Sequence, residues 1–126
     1  SYNVESIYEV PLILDEQGMS DFICKRLGFS EQKQDLREWK KFVEAILKPE
    51  HEVKVALVGK YAGLADSYVS MSEALRHAGA ACKTKVCINY IEAEKLEQNT
   101  KNIEILKEFD GVFVPYGFGP RGTEGK

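Results

Sequence analysis

The stretch "VKVALVG", residues 53–59, is a short and nearly continuous apolar run closed by glycine. Such a run reads as a strand buried on both faces, the kind found inside parallel sheets. The next segment, "DSYVSMSEALRHAG" (66–79), has helical spacing. Asp66 or Ser67 is placed to cap it, Tyr68, Met71, Leu75 and Ala78 share one face, and Gly79 stands where a helix closes. "KVCINYI" (85–91) is a second strand. "NTKNIEILKEFD" (99–110) is a second helix with Ile105, Leu106 and Phe109 inward, and "GVFVP" (111–115) is a third strand. The charge-rich "EAEKLEQNTKN" (92–102) between them reads as a solvated connection. The order β-α-β-α-β predicts an α/β domain with a doubly wound parallel sheet and right-handed crossovers.

Residues 1–50 read differently. "SIYEVPLILDEQG" carries Ile7, Val10 and Leu14 at helical spacing, with Ser6 as cap, Pro11 in an early turn and Gly18 as stop. "MSDFICKRLGF" is a second helix in which Ser20 caps, Phe22, Ile23 and Leu27 face inward, and Gly28 stops it. Leu36, Trp39, Phe42, Val43, Ile46 and Leu47 form the stripe of a third helix, ended by Pro49. Trp39 reads as packing. "KPEHE" (48–52) is the boundary, so the expected organisation is a helical segment over 1–50 and a sheet domain over 51–126.

Composition limits what this chain does. It has 126 residues, 44% apolar and 29% charged, which suits one globular domain with an extension. A net charge of -3 offers no basic footprint for nucleic acid and no polybasic patch for a membrane surface. No apolar run is long enough to span a bilayer, and no signal peptide is read. The first residue is Ser1 rather than methionine, which points to a cut or processed start. The three cysteines, Cys24, Cys82 and Cys87, form no even disulfide framework, so a reducing, cytoplasmic setting is expected. Cys82 and Cys87 read as small hydrophobes in or near a strand rather than metal ligands.

In an open parallel sheet, ligands bind beyond the carboxyl ends of the strands. There "GKYAGLAD" follows the first strand and "PYGFGPRG" the third. Gly59-Lys60 is not a phosphate-binding P-loop, which needs G-x-x-x-x-G-K-[ST]. Gly117-x-Gly119-x-x-Gly122 matches the letters of a dinucleotide fingerprint, but no helix or acidic residue follows at the required distance. Two readings of these glycines stand level: tight-turn backbone angles, or N–H groups exposed to an oxyanion or carboxylate. His77 lies near a helix C-terminus and reads as structural. No Ser/His/Asp or Cys/His set assembles, and neither Cys82 nor Cys87 sits on the strand-to-helix elbow a nucleophile needs.

Three longer stretches are more specific than the glycines. "NVESIYEVPLILDEQGMSDFICKRL", "VALVGKYAGLADSYVSMSEALRHAG" and "DGVFVPYGFGPRGTEGK" together resemble the CTP synthase family, in its order and spacing, over nearly the whole chain. The resemblance implies a middle slice: the end of a synthetase domain and the linker over 1–50, then the first strands of a class I glutamine amidotransferase domain, a flavodoxin-like sheet, over 51–126. Family members hydrolyse glutamine through a cysteine thioester and pass ammonia to UTP that ATP, with magnesium, has phosphorylated. GTP activates them, CTP inhibits them, and they assemble as homotetramers.

The resemblance implies no catalytic and no metal-ligating residue in this chain. It places the adenine-contacting segment of the ATP site at Tyr2, Asn3 and Val4, of which Val4 transfers through its backbone. It places the glutamine and oxyanion loop at Tyr116, Gly117 and Phe118, the last bordering the glutamine and GTP region. The nucleophilic elbow, its His/Glu partners, the ATP phosphate loop and most of the UTP site are expected outside residues 1–126, so the isolated chain is expected to be inactive and free of bound cofactor. One departure stands out: Tyr116 replaces the first glycine of P-G-G-F-G. If that position needs positive φ, tyrosine costs about 1–2 kcal/mol there, and its ring is expected to crowd the pocket and impair glutamine hydrolysis. The alternative is a free-standing, non-catalytic flavodoxin-like module that holds an anion on its glycine loop. A three-strand sheet leaves edges and apolar faces bare, so a marginally stable or self-associating chain is expected.

Overall fold

The structure, a computed structural model, describes residues 3–30, 34–117 and 119–126. It divides into two compact units, Ser1–Lys48 and Pro49–Lys126.

The first unit is helical. Ser6 caps a 3-10 turn, Ile7–Glu9, with a complete capping box: its hydroxyl accepts from the Tyr8 N–H, and its own N–H donates to the Glu9 carboxylate at 2.9 Å. Helix α1 (Val10–Glu16) continues from it with Pro11 in the first turn, where no intrahelical N–H is needed. Gly18, at φ 74°, then ends α1 and serves as N-cap of α2 (Met19–Leu27). Ser20 therefore lies inside the first turn of α2 and is not its cap. Gly28, at φ 71°, closes α2, and the Phe29 N–H reaches back to the Cys24 carbonyl at 2.9 Å.

Helix α3 (Arg37–Leu47) follows. Its stripe packs as the spacing predicts, with Val43 buried and Trp39, Phe42, Ile46 and Leu47 half-buried. Tyr8, Trp39 and Phe42 form an aromatic cluster with ring centroids 5.1–5.9 Å apart, and the Trp39 indole donates to the Tyr8 carbonyl at 2.9 Å. The inward face expected for α2 is corrected: Phe22, Ile23 and Leu27 are exposed, as are Ile7, Val10 and Leu14. Two short helices carry more apolar surface than this unit has partners to cover.

The second unit is a parallel sheet in the order β2-β1-β3, built from β1 (His51–Gly59), β2 (Thr84–Glu92) and β3 (Gly111–Phe113). β1 is central, and its second half is the core: Ala56, Leu57 and Val58 are essentially inaccessible. Alternation sends Ala56 and Val58 to one face and Leu57 and Gly59 to the other. The first face packs against Ala93 and Leu96 of helix α5 (Ala93–Gln98), with Ile91, Leu106 and Phe109 around them. The second carries Tyr68, whose ring lies against Gly59 at the foot of helix α4 (Val69–Ala81). Helices on both faces make the sheet doubly wound.

Several sequence expectations are revised here. Neither Asp66 nor Ser67 caps by its side chain; a 3-10 turn, Ala65–Tyr68, leads into α4 instead. Gly79 does not close α4, which runs on to Ala81; a Cβ there would strike the Thr84 carbonyl oxygen, so the glycine lets β2 pass close. The buried face of α4 holds Ser72, Gly79 and Ala80, and Ala78 is exposed. His77 sits one residue before the last turn of α4. Cys82 is the exposed C-cap of α4, not a packed hydrophobe, while Cys87 is half-buried in β2. The supposed charged connection contains α5, anchored by buried Ala93 and Leu96. The expected second helix is a 3-10 stretch, Thr100–Glu108, on which Ile105 is exposed. β3 is shorter than "GVFVP", with Val114 beyond it and exposed.

Candidate functional site

The strands run parallel, so the chain segments leaving β1, β2 and β3 all emerge at one edge. The segment after β1 turns at Lys60–Leu64. The Tyr61 N–H donates to the Tyr68 hydroxyl at 3.1 Å. Tyr68 is fully buried, and a Cβ on Gly59 would come within 2.6 Å of its hydroxyl. Gly59 is thus glycine because the Tyr68 phenol occupies the space above it.

The segment after β3 passes through buried Pro115 and folds back across this edge. A Cβ on Gly117 would lie 2.7 Å from Lys126 Nζ and 3.5 Å from the Lys60 Cβ. Lys126 Nζ also donates to the Gly117 carbonyl at 3.3 Å. Gly119 has φ 81°, and a Cβ on it would meet Lys60 Nζ at 3.3 Å. The Arg121 guanidinium donates to the Lys60 carbonyl at 3.4 Å, pairs with the Glu94 carboxylate and lies over the Tyr61 ring, 5.7 Å from its centroid. Gly122, at φ 71°, and Gly125 both rest on Ala93; a side chain at Gly125 would collide with the Ala93 carbonyl, one at Gly122 would be tight against the Ala93 methyl, and the Gly125 N–H donates to Glu97. The tight-turn reading of these glycines therefore holds at two of the three positions. Gly119 and Gly122 supply left-handed backbone, and Gly117, whose φ is not positive, leaves room between two lysines.

Tyr116 does not adopt positive φ; Lys83 is the residue other than glycine that does among those described. The expected backbone strain at Tyr116 is absent. Its ring is half in solvent and packs edge-on against Tyr68, with centroids 6.3 Å apart at 69°. Phe118 and Tyr2 lie outside the described residues. Asn3 is exposed and Val4 half-buried, both in the first unit. Sequence reasoning brought both loops, and with them Lys60, Tyr116, Gly117 and Arg121, to this edge, but gave Lys60 and Arg121 no role and did not place Tyr68 or Lys126 beside them.

A cleft of about 350 Å³ opens nearby between Ala62, Gly63, Tyr90, Glu92, Lys95 and Ile105. The Tyr90 hydroxyl is bonded to Ser72 Oγ at 2.7 Å, and Lys95 pairs with Glu92 at 3.1 Å. Among the described residues no group of three or more His, Cys, Asp and Glu is placed to hold a metal ion, and no helix is long and apolar enough to cross a membrane. Cys82 stands just before β2, at the opposite edge from these loops.

No protein-family profile matches the chain. Over 124 residues, 98% of its length, it is 51% identical to a CTP synthase from Caldanaerobacter subterraneus subsp. tengcongensis, and that match covers 23% of the relative. It is 47% identical over all 126 residues to a CTP synthase from Thermococcus gammatolerans, again 23% of that protein. Along nearly its whole length this chain is similar to a segment of CTP synthases. It spans less than a quarter of the length of these CTP synthases. Among solved structures it resembles the glutaminase domain of a Trypanosoma brucei CTPS with bound acivicin, at 37% identity and a TM-score of 0.52, covering 58% of this chain and 29% of that one. A free-standing anion-binding module is not favoured beside these CTP synthase relatives.

Proposed function

We propose that this chain is the part of a glutamine-hydrolysing CTP synthase that ends the synthetase domain, forms the linker and begins the glutaminase domain. The whole enzyme makes CTP from UTP, using ATP and ammonia released from glutamine, in the cytoplasm and as a homotetramer, with GTP as activator and CTP as inhibitor. The observation that carries this reading is the likeness to CTP synthases, which runs through both units of the chain.

In this reading Gly117 meets the glutamine substrate. The backbone N–H at residue 116 steadies the tetrahedral oxyanion, and Phe118 borders the region that receives glutamine and GTP. Tyr2, Asn3 and Val4 lie along the adenine of ATP. ATP phosphates and magnesium would find no cluster of acidic ligands among the described residues, and the chain's part is to shape the glutamine edge. A backbone amide acts in such a site by being held in place before charge develops.

The test transplants residues 1–126 into the Caldanaerobacter CTP synthase in place of its matching segment. CTP formation from UTP and ATP is then measured with ammonia and with glutamine. Both nitrogen sources are expected to work, with a glutamine KM a few-fold lower in the Tyr116→Gly version, where the pocket is less crowded. Ammonia-dependent activity without glutamine-dependent activity in either version would overturn the glutaminase assignment of this loop.

A further inference from the structure

We propose that Lys126 is a positioning residue for glutamine hydrolysis: its ammonium latches the Gly117 carbonyl, and Glu97 holds that latch in place through the Gly125 N–H. This rests on the glutaminase reading above, which gives neither Lys126 nor Glu97 a role. Lys126 lies nine positions after Gly117, and the chain between them winds back on itself. Gly119 and Gly122 supply left-handed backbone. The Thr123 N–H donates to the Pro120 carbonyl and the Lys126 N–H to the Thr123 carbonyl, each at 3.3 Å. The Thr123 hydroxyl donates to the Gly119 carbonyl at 3.1 Å. Two consecutive turns thus bring residue 126 back beside residue 117.

The contact at that point is direct. Lys126 Nζ donates to the Gly117 carbonyl at 3.3 Å, and a Cβ on Gly117 would stand 2.7 Å from the same nitrogen. The ammonium therefore occupies the space that a side chain at 117 would take, against the backbone that meets glutamine in the reading above. Because the donor is charged, its bond to the carbonyl is stronger than one between neutral groups. The far end of the loop is anchored on α5. Glu97 Oε1 accepts from the Gly125 N–H at 3.1 Å, and Gly125 lies so close to the Ala93 carbonyl that no Cβ fits between them. Lysine carries its charge on a long, flexible stem, so where the ammonium lands depends on where its backbone is held. Glu97 sets that position from the residue just before it.

The experiment uses the full-length chimaera described above, in whichever version, parent or Tyr116→Gly, uses glutamine. It reads glutamine KM, the ammonia-dependent rate and the melting temperature. Lys126→Met removes the ammonium and keeps an unbranched stem. It is expected to raise glutamine KM about three- to tenfold, the scale of one partly solvated hydrogen bond, with the ammonia-dependent rate changed less than about twofold. Lys126→Arg keeps a charged donor and is expected to bring KM back to within about twofold of the starting chimaera. Glu97→Leu is expected to raise KM by a similar factor alone and by less than about twofold once Lys126→Met is present, because it acts through the lysine. A merely structural role would depress both activities and the melting temperature together, and would give Glu97→Leu the same effect in both backgrounds. That pattern, an unchanged KM in Lys126→Met, or a raised KM that arginine does not restore would overturn the proposal and leave the glutaminase reading intact. Ammonia use without glutamine use in both the parent and the Tyr116→Gly version would remove both.

Discussion

Gly79 shows how one residue carries a requirement that its neighbours in sequence do not reveal. Near the end of a helical pattern it has the look of a stop signal, yet α4 continues through it to Ala81. What it answers to is β2: an added Cβ would strike the Thr84 carbonyl oxygen and come within 2.8 Å of Val86 Cγ2. Gly79→Ala would gain about 0.5–1 kcal/mol of helix propensity. Forcing a methyl against fixed backbone costs about 1–3 kcal/mol, and the clash wins. The midpoint of urea unfolding is expected to fall for Gly79→Ala; an unchanged or raised midpoint would show that β2 has room to move. The same blindness hid Tyr68. Its spacing marked it as a core residue, which it is, but its contacts with Tyr61 and Tyr116 depend on where two loops meet. Tyr116 would be a strain site only if its position needed positive φ, and the backbone there does not adopt it.

At the level of elements, what was legible followed apolar run length. β1 and β2 are read within two residues of their ends because buried strands leave continuous apolar runs. α5 was missed because "AEKLEQ" is mostly charged or polar and holds the core through Ala93 and Leu96 alone. That thin anchoring makes it sensitive. Leu96 is 4% exposed and packs with Ala56 and Val58, so Leu96→Ala is expected to cost about 2–5 kcal/mol by cavity formation. Since Gly122 and Gly125 rest on the start of α5, protease cleavage within residues 117–126 should also accelerate; stability lost with no change in cleavage would uncouple the helix from the loop. The link between α4 and β2 adds a pH dependence. Hydrogen bonding from Lys83, and then its charge, hold the Glu50 carboxyl below its ordinary range, and the same contact holds the Lys83 ammonium above its own. The depressed acid stabilises above its unfolded pKa and loses that contribution as pH falls through the folded value. The raised base loses its contribution only as pH climbs through its folded value. Both groups are solvent-exposed, so the effect is small. The melting temperature of Glu50→Gln should sit slightly below that of the parent at neutral pH, and the gap should close in acid; a gap constant with pH would assign it to something other than this pair.

At the scale of the whole molecule, two surfaces remain bare for different reasons. In the first unit α1 and α2 expose Val10, Phe22, Ile23 and Leu27, and Ile7 and Phe29 next to them are exposed too, because among the described residues the unit has one further helix to offer and α3 spends its stripe on its own core and on Tyr8. In the second unit β3 is an edge strand with Val112 and Val114 exposed beside unpaired backbone groups. Apolar surface of this extent rarely stays in water on a soluble monomer, and an open strand edge invites pairing with another chain. The 126-residue chain on its own is therefore expected to self-associate: its mass by light scattering should rise with concentration, and its melting should be broad and concentration-dependent. The two surfaces can be told apart by charge. A lysine in place of Val112 blocks edge pairing, whereas glutamate in place of Phe22 and Leu27 breaks the helical patch; whichever returns the chain to a monomer identifies the face that associates. In the full-length chimaera, where the relative's remaining chain is present, the same lysine at Val112 should instead lower stability if that chain covers the β3 edge. A sharp, concentration-independent melt of a monomeric isolated chain would mean that these surfaces are tolerated, and that the segment folds as an autonomous unit.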